Sequence, residues 1–155
     1  MRLVAKGYTQ KPGIDFVDIY SLVEKFVSIR MIMKIVARLD LELHQLDIKT
    51  AFLNGDLKED IYMVQPEGYK VKGQEKKVCK LNKLLYGLRQ SSRQWYLQFH
   101  QAIIEIGYEV SKLDHCVYIL KQDKDIAILS LYVDDILLAS NNMNIMEKTK
   151  SCLRS

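Results

Sequence analysis

The hydrophobic positions of this 155-residue chain change period several times, and each change marks an element. Ile29, Ile32, Met33, Val36 and Leu39 recur at three- and four-residue spacing. That spacing predicts a helix running from Ser28, a good N-cap residue, to about Leu39. Arg30, Lys34 and Arg38 form a basic stripe on a different face of it, ordinarily a solvated face. Trp95, Phe99, Ile103 and Ile106 predict a second helix that starts at Ser91 or Ser92 and stops at Gly107. Between and after the helices the period shortens to two. Residues 43–48 alternate, and the runs 61–64, 78–81 and 116–120 are short and rich in β-branched or aromatic side chains, as strands are. Pro12-Gly13 and Gln65-Pro66-Glu67-Gly68 mark turns, and the lysine-rich stretch 71–77 reads as a loop. Helices mixed with short hairpins, without regular βαβ alternation, predict an α+β fold: an antiparallel sheet with helices packed on one face.

One apolar run breaks its own pattern. Residues 127–133 and 136–139 read as two strands, and the tight link between them is Asp134-Asp135. An unpaired carboxylate in a low-dielectric interior is costly, and two neighbouring ones resist joint ionisation. Two arrangements remove the conflict. The pair can form an exposed hairpin turn, a position that Asp favours. It can also sit at the mouth of a cleft and be neutralised by divalent cations. Asp47, in Leu46-Asp47-Ile48, is a third acid at the end of an apolar strand. Nucleotidyl transfer run by two Mg²⁺ ions needs two or three carboxylates converging from separate strands, because Mg²⁺ is a hard cation.

Composition narrows the setting. A 48% hydrophobic and 27% charged chain of this length buries a core of one ordinary domain. Lys and Arg number 23 against 19 Asp and Glu, a net charge of +4 that suits a polyanionic partner without requiring one. Cys79, Cys116 and Cys152 are odd in number and far apart, which excludes a disulfide framework and favours a reduced, intracellular setting. The first residues lack the apolar core of a signal peptide, and no run approaches the roughly 18 residues of a membrane span. Asp114-His115-Cys116 has the look of a metal or nucleophile cluster, but neighbours on a strand point to opposite faces and no further ligand is suitably spaced. It reads as structural, as do the isolated His44 and His100.

Ordered blocks of the chain resemble a known family. Arg2-Leu3-Val4-Ala5-Lys6-Gly7-Tyr8-Thr9-Gln10, then Gln45-Leu46-Asp47-Ile48-Lys49-Thr50-Ala51-Phe52-Leu53-Asn54-Gly55, then Leu85-Tyr86-Gly87-Leu88-Arg89-Gln90 and Tyr132-Val133-Asp134-Asp135 are similar to the copia-type LTR-retrotransposon reverse transcriptase. The blocks 61–69 and 114–118 look like that family too, so the resemblance spans essentially the whole chain. It implies a right-hand polymerase fold, with about residues 1–40 fingers-like and about 41–155 mostly palm. It implies Asp47 as the first metal-binding aspartate and Asp134 and Asp135 as the pair on the palm hairpin, with Mg²⁺ (two ions, Mn²⁺ as a substitute) as cofactor. Asp47 and Asp134 carry most of the catalytic weight in that implication, and Asp135 supports them. Phe52 matches the aromatic that excludes a ribose 2′-hydroxyl; without the resemblance it reads equally well as a core aromatic. Tyr86, Gly87 and Arg89 correspond to the segment lining the nucleotide and template pocket, and Arg2 and Lys6 to the triphosphate-binding cations of the fingers.

The implied function is RNA-directed DNA polymerisation: nucleotidyl transfer from a dNTP to a primer 3′ hydroxyl on an RNA or DNA template. The parent element would act in the cytoplasm within a virus-like particle, with no membrane partner. Two prolines of the family pattern are replaced, giving Ser21-Leu22-Val23 and Gln90-Ser91-Ser92-Arg93, changes that loosen a turn and a helix start but touch no metal ligand. The chain stops shortly after the aspartate hairpin, so the thumb and RNase H segments of the parent polyprotein are expected to be missing. Catalysis needs the primer hydroxyl held close to the line of attack. The isolated chain is therefore expected to polymerise weakly or not at all. The alternatives are a non-catalytic remnant or host-adopted nucleic-acid-binding domain that keeps the fold, and a structural fragment with no activity.

Overall fold

The computed structural model describes residues 3–17, 19–57 and 59–154. The chain divides into two compact units that interleave along the sequence. Unit one is drawn from Met1–Tyr20 and Thr50–Trp95, and unit two from Ser21–Lys49 and Tyr96–Ser155.

Unit two is built on a five-stranded antiparallel sheet. Its strands are β1 (Glu42–Asp47), β4 (Glu109–Val110), β5 (Val117–Gln122), β6 (Asp125–Tyr132) and β7 (Asp135–Ser140), in the order β1-β7-β6-β5-β4. The strands flank α1 (Phe26–Leu39), the later part of α3 (Ser91–Glu105) and α4 (Met143–Arg154). Alternation sorts the side chains into two layers. On one face Ile32 of α1 clusters with Val117, Ile128 and Ala139, flanked by Ile35, Val36 and Leu43. Tyr118 points the other way and meets the Phe99 ring of α3 edge-on at 5.7 Å. Tyr108 and Thr149 share a buried hydroxyl hydrogen bond of 2.9 Å, which ties α4 to the strand entering the sheet. Helices therefore cover both faces, not the single face expected. The reason is legible in β6, where Ile128 and Leu129 are both buried: two apolar layers need two covers.

Unit one is smaller. It holds α2 (Ala51–Asn54) and the hairpin of β2 (Tyr62–Val64) with β3 (Val78–Lys80). Its core gathers Ala5, Ile61, Leu84 and Leu88. The extended segment at Val4 bridges Tyr86 in parallel, and the Ala5 N–H donates to the Tyr86 carbonyl at 2.7 Å. Gly87 makes that approach possible. It holds φ at +93°, and a Cβ there would collide with the Ala5 carbonyl. Buried Gln65 pins the lysine-rich loop: its amide donates to the Gln74 and Lys77 carbonyls and its oxygen accepts the Val71 N–H.

The helices begin and end for local reasons. α1 starts at Phe26, two residues before Ser28, and Ser28 does not cap it; the N-cap position is Lys25, with no side-chain cap of its own. α3 starts at Ser91 as expected, buries Trp95, Phe99 and Ile103, and is closed by Gly107 at φ +101°. The short β4 and helices α2 and α4 were not anticipated from the pattern.

Candidate active site

In unit two the antiparallel register builds a row of side chains across one face. Asp47 on β1 stands opposite Asp135 on β7, and Asp135 stands opposite Tyr132 on β6. Directly opposed residues share a face, so two carboxylates are set side by side on adjacent strands. Both aspartates are exposed. Like charges in that position destabilise a sheet, and an arrangement of this kind invites a cation. Gln45 donates from its amide to Asp135 Oδ1 at 3.3 Å, holding that carboxylate at the strand end.

The expected turn is shifted by one residue. Asp135 is the first residue of β7, and the two residues that turn the hairpin are Val133 and Asp134. Val133 has φ of +57°. A β-branched side chain is a genuine outlier there, and the strain, of order 1–3 kcal/mol, sits beside the carboxylates. The Asp134 carbonyl accepts the Ile48 N–H at 3.0 Å, tying the turn to the end of β1. The fold thus brings Asp47 and Asp135 into register and places Asp134 next to them.

The donor set suits a hard divalent cation, since all three groups are carboxylates. Among the described residues, no three His, Cys, Asp or Glu side chains close into a ready-made metal cluster. Mg²⁺ does not require one: it keeps several waters and is commonly bound through one or two carboxylates plus substrate phosphates. The residues present therefore fit the ion by donor chemistry.

Of the residues that the resemblance links to nucleotide binding, Phe52, Tyr86, Gly87, Arg89 and Lys6 lie in unit one. The Phe52 and Tyr86 rings pack at 4.5 Å with planes tilted by 45°. Gly87 provides the close backbone approach described above. Arg89 is held within the unit, its Nε donating to the Gly7 carbonyl at 3.1 Å and its guanidinium lying 5.6 Å from the centre of the Phe16 ring. Lys6 is exposed and lines a largely apolar groove of about 660 Å³ with Leu3, Tyr62, Val64 and Lys70. Arg2 lies outside the described residues.

Beneath the row of unit two is a polar pocket that the pattern did not reveal. Glu24 is only 4% exposed. Its Oε1 accepts a short hydrogen bond from the Ser130 hydroxyl, while Oε2 is buried with no partner among the described residues. Burial pushes its carboxyl above the usual range, the Ser130 bond opposes this, and the neighbouring Asp114 charge adds to it. The available signal was an acid inside the apolar stretch Leu22-Val23-Glu24-Lys25-Phe26-Val27.

Asp114 works at the start of α1. Its Oδ2 accepts the Lys25 N–H at 2.9 Å and the Ser28 hydroxyl at 2.6 Å, and Oδ1 accepts the Cys116 N–H at 3.1 Å. Burial raises its carboxyl, but these hydrogen bonds outweigh burial and hold it below the usual carboxylate range. Cys116 is pushed up to about 12, by burial first and then by the Asp114 and Glu24 charges, so the thiol stays neutral and is no nucleophile. The structural role expected of 114–116 is the one observed.

The family model described as reverse transcriptase (RNA-dependent DNA polymerase) matches residues 1–155. The retrovirus-related Pol polyprotein from transposon TNT 1-94 of Nicotiana tabacum is 50% identical over 98% of this chain and 12% of its own length. That from transposon RE1 of Arabidopsis thaliana is 40% identical over 96% of the chain and 10% of its own length. The transposon Ty1-DR4 Gag-Pol polyprotein of Saccharomyces cerevisiae is 31% identical over 96% of the chain and 9% of its own length. The chain thus spans about a tenth of the curated relatives it matches. No solved structure matches it.

Proposed function

We propose that this chain, which belongs to the reverse transcriptase (RNA-dependent DNA polymerase) family, carries the nucleotidyl-transfer site of an RNA-directed DNA polymerase. The observation that carries the reading is the cross-strand row, in which Asp47 and Asp135 are paired in register with Asp134 in the adjoining turn. A hairpin turn alone explains Asp134. It does not explain why a strand from far earlier in the chain sets Asp47 directly opposite Asp135.

In this reading Asp47, Asp134 and Asp135 hold Mg²⁺, which when bound supplies activation of the primer 3′ hydroxyl and neutralisation of charge on the departing pyrophosphate. Gln45 orients Asp135 through its amide, and the Val133–Asp134 turn fixes the height of the hairpin against β1 through the Ile48 bond. In unit one, Phe52 backed by Tyr86 serves as the wall that rejects a ribose 2′-hydroxyl. Gly87 keeps the backbone there free of a side chain, and Arg89, Lys6 and Arg2 supply positive charge for the triphosphate. The substrates are a dNTP and a primer on an RNA or DNA template.

The test places the chain where its relatives carry the same segment. Substituting these 155 residues for the matching segment of the tobacco Pol polyprotein should leave Mg²⁺-dependent incorporation on an RNA template. Asp47→Asn or Asp134→Asn in that chimaera should lower it by about a thousandfold, the rate equivalent of several kcal/mol of lost charge stabilisation. A folded chimaera that incorporates equally well with Asp47→Asn would overturn the reading.

A further inference from the structure

Building on the polymerase reading of the aspartate row, we propose that the exposed side of α1 is a track for the nucleic-acid strand approaching that row. Phe26 is its stacking contact, and Arg30, Lys34 and Arg38 are its phosphate contacts. Phe26 is 71% exposed, a costly place for an aromatic ring. Its ring lies 6.4 Å from that of Tyr132, which stands opposite Asp135 and, through it, in line with Asp47. One end of α1 is therefore beside the carboxylates. The helix then runs away from them, since Ile32 packs on Ile128 and Ala139, well back from the hairpin turn.

Phe26, Arg30, Lys34 and Arg38 follow at four-residue steps, each advancing about 6 Å along the helix. No acidic residue occurs anywhere in α1. Among the described residues none of the three cations has an ion-pair partner. Like charges four apart repel on a helix, and only Arg38 gains from the negative helix end, so a merely solvated face would carry Glu or Gln between them. Val27 and Met31, both exposed, lie among the cations. A nucleic-acid strand matches this face twice over: its phosphates repeat regularly, and its bases offer π-faces to an aromatic ring. An acidic peptide matches only the charge.

The experiment is fluorescence anisotropy of the 155-residue chain with a primer–template duplex over a salt series. Arg30→Gln/Lys34→Gln/Arg38→Gln should make the slope of log affinity against log salt shallower by about two to three, the loss of three phosphate contacts. Its melting temperature should not fall, because repulsion has been removed. Phe26→Leu should restore the fluorescence of 2-aminopurine placed at the primer 3′ end, which the unsubstituted chain quenches. An unchanged slope, absence of duplex binding by the chain, or equal competition by polyglutamate overturns the track. Unchanged 2-aminopurine quenching with Phe26→Leu overturns the stacking contact. A stripe variant with unaltered binding, alongside loss of incorporation by Asp47→Asn in the chimaera, would refute the track and leave the polymerase reading standing; the reverse pair of results would do the opposite.

Discussion

Glu24 and Asp114 show how two neighbouring carboxylates in one pocket are driven in opposite directions. Asp114 has three donors and is held low; among the described residues Glu24 has one, and its other oxygen is buried without a partner. For Glu24 the folded-state affinity for a proton exceeds that of the unfolded chain, whose ordinary value is 4.5. Its contribution is therefore intact below that value and is lost as pH rises through the folded one. Stability should fall with pH above about 4.5 at no more than about 1.4 kcal/mol per pH unit, until the carboxyl is ionised in both states. Glu24→Gln removes the titration. In urea melts it should match the parent near pH 4 and exceed it at pH 8 by about 1 kcal/mol. Equal midpoints at pH 8 would show that Glu24 finds a partner when charged. None of this was visible in the hydrophobic pattern, because a lone acid in 22–27 is consistent with an ordinary surface position until Ser130 is known to lie above it. The carboxylates of the site were different: Asp47 ends an apolar strand and Asp134-Asp135 break an apolar run, and that anomaly is a property of the sequence itself.

At the level of elements, α1 is the instructive case. Its apolar spacing announced the helix, and its start was misassigned because the capping group comes from 86 to 89 residues away. Asp114 takes the role that an N3 acid plays in a capping box: it accepts the N-cap N–H of Lys25, while its charge faces the positive end of the helix. Capping supplied across the fold leaves no local signature. Asp114→Ala should cost about 2 kcal/mol at neutral pH, measured by chemical denaturation, and should release the Ser28 hydroxyl. Because its carboxyl is held low, this contribution is present above the ordinary value of 3.8 and is lost as pH falls through the folded one. The difference between parent and variant should therefore shrink in acid; a constant difference down to pH 2 would assign the loss to packing. The hairpin turn was misplaced by one residue for a related reason. Sequence marks the apolar runs, but the register that pairs Asp135 with Tyr132 on one side and Asp47 on the other is set across strands.

On the scale of the whole molecule, the interleaved units differ in how much they bury. Unit two stacks helices on both faces of five strands, with Leu129, Ile136, Leu138 and Ala139 fully buried. Unit one relies on a two-stranded sheet and a small cluster around Leu84 and Ile61, and a hairpin of that size is marginal without help. The sequence foretold every strand of both units except β4, but not this partition, since β1 reaches β7 only after the whole of 50–95 has intervened. Cooperative opening should follow the partition rather than the chain order. In native-state hydrogen exchange, the amides of β6 and β7, such as Leu129 and Leu138, should exchange only through global unfolding. Those of β2 and β3, such as Met63 and Cys79, should exchange through a smaller opening, of lower free energy and shallower dependence on low denaturant. Equal protection of Met63 and Leu138 would show that the chain opens as one body.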